Sequence, residues 1–523
     1  MKRISLLFLS FALFLSCIAP ASAEEKRLLW DMGKLSTLPP DKTRGLFGFD
    51  ALASIQDDYS WKIENSSQNS YQSVLMPCSF IKEVDRNFTA CIESVASRKR
   101  GTKTWVEAKL GDTQLGEPVT TIRKGNLYVG KLDFDSKNLT PTGDKATLWT
   151  LIGRRHSSGE DYLVRARFFG GTNSFGKTTL KVELIPVFFE RTSATVTQDK
   201  LFVEEFPKDS EYRVRIRTGV FIKTLTGWFF GRMTAPTVDR NGPAGYLEIS
   251  GEPARIPIGL TNIVDTSEAC KYFDPLRKTK VSNPSAQLKC GEEKLFDKAV
   301  TFTNSEGWSP DALSRWEEAP GGVKSVATIS KWSLDSTGWS GLSMDAAADT
   351  CVTALYGVNA RVFQGAVFSN ATLFQIEPPN WNEQNQSFEF QVASPHLDEN
   401  GARNQGFYTL YIPKEFAKCR WGELAASPRA EVQVTNSNGQ STAITVVATT
   451  ENDNLRFNIE GFGYSSPIIK IRLVNSIATE ISPINSKVAS TKKVLTIHCT
   501  KGKLTRKITN QKPTCPSGFK IKK

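Results

Sequence analysis

The chain has 523 residues and a mass of 57.9 kDa, a length that suggests about three or four domains. With 39% hydrophobic and 23% charged residues, its composition is that of folded protein and excludes wholesale disorder. Three histidines in the whole chain argue against a site built from three imidazoles, and the formal charge of +12 raises the question of where the excess lies.

The amino terminus has the layout of a secretory signal peptide. Lys2 and Arg3 precede an almost continuously apolar run from Ile4 to Ala19, and Ala21-Ser22-Ala23 offers small residues for cleavage near Ala23. The apolar run is short for a membrane span. Lipidation at Cys17 is the weaker alternative, because the Ala-x-Ala site follows immediately. No later segment reaches 18 uninterrupted apolar residues, so the mature chain is expected to have no transmembrane span. Residues 1–23 are therefore read as the signal peptide of a secreted or envelope-associated protein.

Cleavage removes Cys17 and leaves eight cysteines, an even number that reads as a disulfide set in an exported chain. Eight cysteines allow 105 connectivities. Sequential pairing is the expectation: Cys78 with Cys91, Cys270 with Cys290, Cys351 with Cys419, and Cys499 with Cys515. Each such loop would stabilise the fold by about 3 kcal/mol. No pair has the two-residue spacing of a zinc site, so no metal and no cofactor is expected.

The charge is concentrated at one end. Between Lys487 and Lys523 stand eleven basic residues and no Asp or Glu, which leaves residues 24–486 at a net −1. Such asymmetry points to an anionic partner for the tail. The residues expected to bind it are Lys492, Lys493, Lys501, Lys503, Arg506, Lys507, Lys512, Lys520, Lys522 and Lys523. The plainer alternative is a basic end that only aids export or solubility.

Along the chain, short alternating segments predominate. Residues 24–150 read as a β-rich module carrying Cys78 and Cys91, with strands at Tyr59–Ile63, Thr104–Leu110 and Asn126–Gly130. Residues 151–350 read as one or more further β-rich modules carrying Cys270 and Cys290. Strands are expected at Tyr162–Phe169, Thr179–Leu184 and Tyr212–Arg217, with a turn at Asp239–Pro243. Ser309-Pro310-Asp311 starts a short helix over 309–318, ended by Pro320-Gly321-Gly322. Residues 351–478, with Cys351 and Cys419, read as a sandwich. Its strands are Ser387–Ala393, Phe407–Ile412, Ala430–Thr435, Ala443–Ala448, Leu455–Ile459 and Ile468–Leu473. Residues 479–523 form a linker and a small basic hairpin, too small to be held by burial and closed by the Cys499–Cys515 link. The fold class is thus mainly β, several immunoglobulin-like sandwich modules stapled by disulfides, with one short helical segment.

Motifs for catalysis are poor. Gly171-Thr172-Asn173-Ser174-Phe175-Gly176-Lys177-Thr178 fits the phosphate-loop pattern by letter, but Thr179 to Leu184 alternates like a strand where a helix is required. Gly338-Trp339-Ser340-Gly341-Leu342 lacks the second glycine of a nucleophile elbow. His156, His396 and His498 all lie in turns or in the tail. The acid pairs Asp57-Asp58, Glu204-Glu205 and Glu317-Glu318 read as solvated turns, and Asp398-Glu399-Asn400-Gly401 lacks calcium-loop spacing. No catalytic residue is assigned. Trp308, Trp316, Trp332 and Trp339 form the densest aromatic cluster, read mainly as core and otherwise as a sugar-stacking platform.

The end of the chain carries a specific signature: Ile497-His498-Cys499-Thr500-Lys501-Gly502-Lys503, then Lys507-Ile508-Thr509, then Lys512-Pro513-Thr514-Cys515-Pro516-Ser517-Gly518-Phe519-Lys520. It resembles the tails of secreted actinobacterial proteins of no established activity and covers under a tenth of the chain. Cys91-Ile92-Glu93-Ser94-Val95 and Ala417-Lys418-Cys419-Arg420-Trp421 resemble pieces of the larger members. The resemblance implies an exported or envelope location and transfers no catalytic residue.

These features point to a non-catalytic surface protein, structural or adhesive, whose tail docks on anionic wall polymer. A carbohydrate-binding protein is the second reading, and a secreted hydrolase of polysaccharide or cell wall the third. No nucleic-acid recognition fold supports a specific nucleic-acid partner.

Overall fold

The computed structural model describes residues 42–43, 46–47, 70–81, 90–110, 133–135, 140–142, 147–171, 178–190, 200–218, 227–242, 245–262, 264–265, 313, 322–337, 350–356, 363–375, 378–426, 429–435, 441–451, 453–464, 468–474, 495–501, 504–510, 515 and 520–521. The chain forms two compact units, Met1–Leu473 and Val474–Lys523. Structure is mainly β, as expected. No described helix is long and apolar enough to cross a membrane.

The principal strands of the first unit, in chain order, are β1 Ser70–Val74, β2 Cys91–Lys99, β3 Thr147–Thr150, β4 Asp161–Gly171, β5 Thr178–Glu190, β6 Ser210–Arg217 and β7 Gly227–Gly231. They continue as β8 Met233–Gly242, β9 Tyr246–Thr261, β10 Val323–Thr337, β11 Phe363–Ser369, β12 Ser387–Ala393 and β13 Gln405–Pro413. The last four are β14 Arg429–Thr435, β15 Ser441–Val447, β16 Asn454–Gly463 and β17 Ile468–Val474. Two short helices, α1 Thr350–Tyr356 and α2 Lys414–Trp421, interrupt them.

A closed barrel occupies the first part. Antiparallel ladders run from β2 to β6, β9, β10, β5 and β4 in turn. β4 pairs with β1 and β3, and the bridge Pro77–Ile92 together with the segment 106–110 returns the sheet to β2. Alternation dictates which face turns inward. In β6, Ser210, Tyr212, Val214 and Ile216 are buried while Glu211, Arg213, Arg215 and Arg217 stand on the outer face. Inside, Val95, Val164, Val182, Val214, Ile249, Ile256 and Trp332 meet in one core. Burying each such large apolar side chain stabilises the fold by about 1.5–3 kcal/mol.

A two-sheet sandwich follows. One sheet runs β7, β11, β13, β16; the other contains β12, β17, β14 and β15. Their facing side chains, among them Phe230, Phe390, Tyr408, Val432, Phe457 and Ile469, form a second core. The expectation of several sandwich modules thus resolves into one closed barrel and one sandwich. β7 runs parallel to β11, although it comes from residues 227–231, ahead of residue 350. β10 is shared: residues 323–331 pair with β9, 332–335 with β5 and 334–337 with β7.

The helix expected over 309–318 lies outside the described residues except Leu313, which is helical and buried. α2 has the charge pattern of a helix on its own dipole, with Glu415 in its first turn and Lys418 and Arg420 in its last. Gly422 ends it at φ 58°, a left-handed backbone that suits glycine. The disulfide Cys351–Cys419 ties α1 to α2, and Cys78–Cys91 ties the turn after β1 to the start of β2. Cys270 and Cys290 lie outside the described residues.

The second unit is a three-stranded sheet: β18 Leu495–Lys501 at the centre, flanked by β19 Leu504–Asn510 and β20 Lys520–Ile521. The expected hairpin is present, extended by the third strand.

Candidate functional site

The basic unit is the candidate site. Lys501 ends β18, Arg506 and Lys507 lie in β19, and Lys520 begins β20 and is exposed. Lys492, Lys493, Lys503, Lys512, Lys522 and Lys523 fall outside the described residues. The ladder sets His498 opposite Lys507, and Thr500 opposite both Thr505 and Lys520. Cys515 is disulfide-bonded, and Cys499 sits in β18 opposite Arg506 and Ile521.

Several described cations of the first unit pair with its own carboxylates. On the outer barrel face Arg98 Nε donates to Glu211 at 2.6 Å, Arg213 meets Glu107, Arg215 Nε donates to Glu248 at 2.8 Å, and Arg217 Nε reaches Glu93 at 3.2 Å. Two guanidiniums lie over the Trp105 ring, that of Arg98 at 4.4 Å and that of Arg213 at 5.0 Å. In the sandwich Lys470 pairs with Glu389 at 3.0 Å and Arg472 with Glu431 at 2.7 Å.

A denser cluster surrounds Glu183 on β5, whose side chain is 2% exposed. Arg165 binds it directly, Lys331 stands at 3.5 Å, Lys181 at 3.8 Å and Arg167 at 3.9 Å. Burial alone would raise this carboxyl, but the four cations outweigh it and hold Glu183 well below the usual carboxylate range. Asp335, beside Lys181 on the neighbouring strand, is pushed up by desolvation.

Among the described residues, His156 forms no catalytic triad. His156 is buried, and its Nε2 lies 3.0 Å from the Asp161 carbonyl oxygen. Its Nδ1 accepts the Ser158 N–H at 3.3 Å. Both ring nitrogens are therefore engaged by backbone. The hydroxyls of Ser157 and Ser158 donate to Glu204 and not to the imidazole. Desolvation lowers the His156 pKa below 6.5. His396 is exposed in a loop, and desolvation, aided by Arg403, lowers its pKa also. The Asp398 carboxylate accepts the N–H groups of Asn400 and Ala402 at 2.9 and 2.8 Å, so it closes its own turn. Glu205 accepts the Ser330 hydroxyl at 3.0 Å.

Other sequence motifs resolve simply. Gly171 ends β4 and Thr178 begins β5, so the phosphate-loop pattern leads into a strand; residues 172–177 lie outside the described residues. Gly338–Leu342, Trp308, Trp316 and Trp339 also lie outside. Trp332 is fully buried in the barrel, where its Nε1 donates to the Gly251 carbonyl at 3.0 Å. It is core, not a sugar platform. Cys78, Cys91 and Glu93 lie within ligand distance of one another, but both sulfurs are consumed by the disulfide.

The Glu183 cluster escaped the sequence reading. The signal was present as alternating charges, Arg165 and Arg167 on one segment and Lys181 and Glu183 on the next, but only the β4–β5 register brings them together. Comparison with protein-family models, curated proteins and solved structures finds no match.

Proposed function

We propose that this is an exported, envelope-associated structural or adhesion protein whose basic carboxyl-terminal unit docks on anionic wall polymer. One observation carries the reading: eleven bases between Lys487 and Lys523 have no Asp or Glu in the same stretch, whereas several cations of the described barrel and sandwich strands pair with carboxylates of the same unit. An uncompensated basic unit attracts polyanions over roughly a Debye length, about 8–10 Å at 0.1–0.15 M salt. A nearly neutral body can then project from the surface.

Export rests on residues 1–23, with cleavage near Ala23, and is supported by two oxidised cysteine pairs in the first unit. The likeness of the tail to those of secreted actinobacterial proteins supports a wall polymer as the partner. Deleting residues 487–523 is expected to release the protein from isolated walls. Equal retention of truncated and full-length chains would defeat the proposal.

A further inference from the structure

On the barrel, β5 and β10 run antiparallel with Lys181 directly opposite Asp335 and Glu183 directly opposite Ser333. The alternating residues Leu180, Val182, Trp332 and Leu334 belong to the core, so Lys181, Glu183 and Asp335 share the outer face. The Ser336 hydroxyl oxygen accepts the Leu180 N–H at 2.6 Å, which holds the two strands in register beside the pair. Lys181 Nζ stands 3.9 Å from Asp335 Oδ2 and 3.8 Å from Glu183 Oε1. A primary amine, a carboxyl and a second, buried carboxylate thus converge from adjacent strands.

We propose that Lys181 and Asp335 condense into an intramolecular amide bond, with Glu183 as the proton acceptor. An amine attacks a neutral carboxyl and not a carboxylate, and desolvation pushes Asp335 toward the neutral acid. Glu183 stays ionised among its cations and so keeps the free oxygen lone pairs that a base needs. It takes one proton from the Lys181 ammonium. The freed Nζ attacks Asp335 Cγ: the N–C bond forms, the C–OH bond breaks, and the hydroxyl leaves as water with a second proton from Nζ. Glu183 then returns its proton to solvent, and no oxidant or cofactor is consumed. Strands held in register make the condensation effectively unimolecular, and a single turnover per chain is enough, so a slow proton transfer is tolerated. Asp335 is half exposed, which gives the water a way out. The product replaces two charged groups of a crowded, partly desolvated cluster by a neutral amide. It would fasten β5 to β10 where β10 passes from the barrel to the sandwich. Lys414 also lies 3.9 Å from an aspartate, Asp453, but those side chains are 45% and 89% exposed, and that pair should stay unlinked.

The test is mass spectrometry of the mature full-length chain, reduced, alkylated and digested with trypsin. The expected product is a branched peptide in which residues 178–191, uncut after Lys181, are joined to residues 332–361, lighter than the two together by one water. The peptides that carry Lys414 and Asp453 should be recovered unlinked. K181R, which keeps the charge and removes the primary amine, and D335A should give no branched peptide. E183D keeps the anion and draws it back by one methylene, so in a pulse-chase its linked fraction should accumulate several-fold more slowly than in the wild type. Recovery of residues 178–181 and 332–361 as separate peptides in full yield would overturn the inference. So would water lost at Asp335 alone, as a cyclic imide, or a link that persists in K181R. An unchanged rate in E183D would remove Glu183 as the proton acceptor.

Discussion

Arg165 and Glu183 stand opposite each other across the β4–β5 ladder, and the guanidinium places both Nε, at 2.7 Å, and Nη2 on the same carboxylate oxygen, Oε2. Both side chains are buried, and Glu183 also offsets Arg167, Lys181 and Lys331. Removing the anion leaves those cations desolvated and mutually repelling. Glu183→Gln is expected to cost about 3–5 kcal/mol, read as a lowered urea midpoint with unchanged slope.

The same carboxyl sets an acid limit. Its folded pKa lies well below 4.5, so its contribution is complete above pH 4.5 and is lost as pH falls toward the folded value. The stability gap between the wild type and Glu183→Gln should therefore be largest near neutrality and shrink below pH 4.5. Thermal unfolding of both proteins across that range checks the sign.

His156 acts in the next window. Its pKa is lowered in the fold, so the unfolded chain takes up a proton first as pH falls through 6.5. The stabilising effect of keeping it neutral is full above 6.5 and declines below it. Between pH 7 and 5.5 the melting temperature of the wild type should fall further than that of His156→Gln. Parallel melting curves would remove His156 as the cause.

The sandwich depends on a close approach at Gly365. A Cβ there would sit 2.3 Å from Trp228 Cζ3 and 2.6 Å from the Tyr411 carbonyl oxygen. Backbone and a packed indole have little room to yield, so Gly365→Ala should destabilise by about 1–3 kcal/mol. Gly463→Ala, which meets nothing within 4 Å, should be close to neutral in the same urea titration.

The Cys351–Cys419 link closes 68 residues of chain, against 13 for Cys78–Cys91. On the loop-closure account, opening the longer link costs about 4 kcal/mol and the shorter about 3. The double replacements Cys351→Ala/Cys419→Ala and Cys78→Ala/Cys91→Ala should follow that order. A reversed order would mean that strain or denatured-state structure outweighs chain entropy.

Local pattern was legible wherever one face was wet. Tyr212–Arg217 alternates because β6 has core on one side and its Arg–Glu pairs on the other, and Ser387–Ala393 matches β12 residue for residue. β10 was not legible. Ser330, Ser333 and Ser336 interrupt its apolar spacing, because one strand serves the barrel and the sandwich along different parts of its length. The parallel pairing of β7 with β11 joins residues more than 130 positions apart, a contact that no local signal encodes. For the candidate site, the charge excess and the hairpin were readable from composition and turn residues.

The most direct measurement is retention of the mature full-length chain and of the chain lacking residues 487–523 on isolated cell walls, over a salt series from about 0.05 to 0.5 M, a range in which the Debye length falls several-fold. Retention of the full-length chain should fall steeply with salt, while the truncated chain should be poorly retained at every concentration. Salt-independent retention shared by both chains would contradict electrostatic docking through the tail.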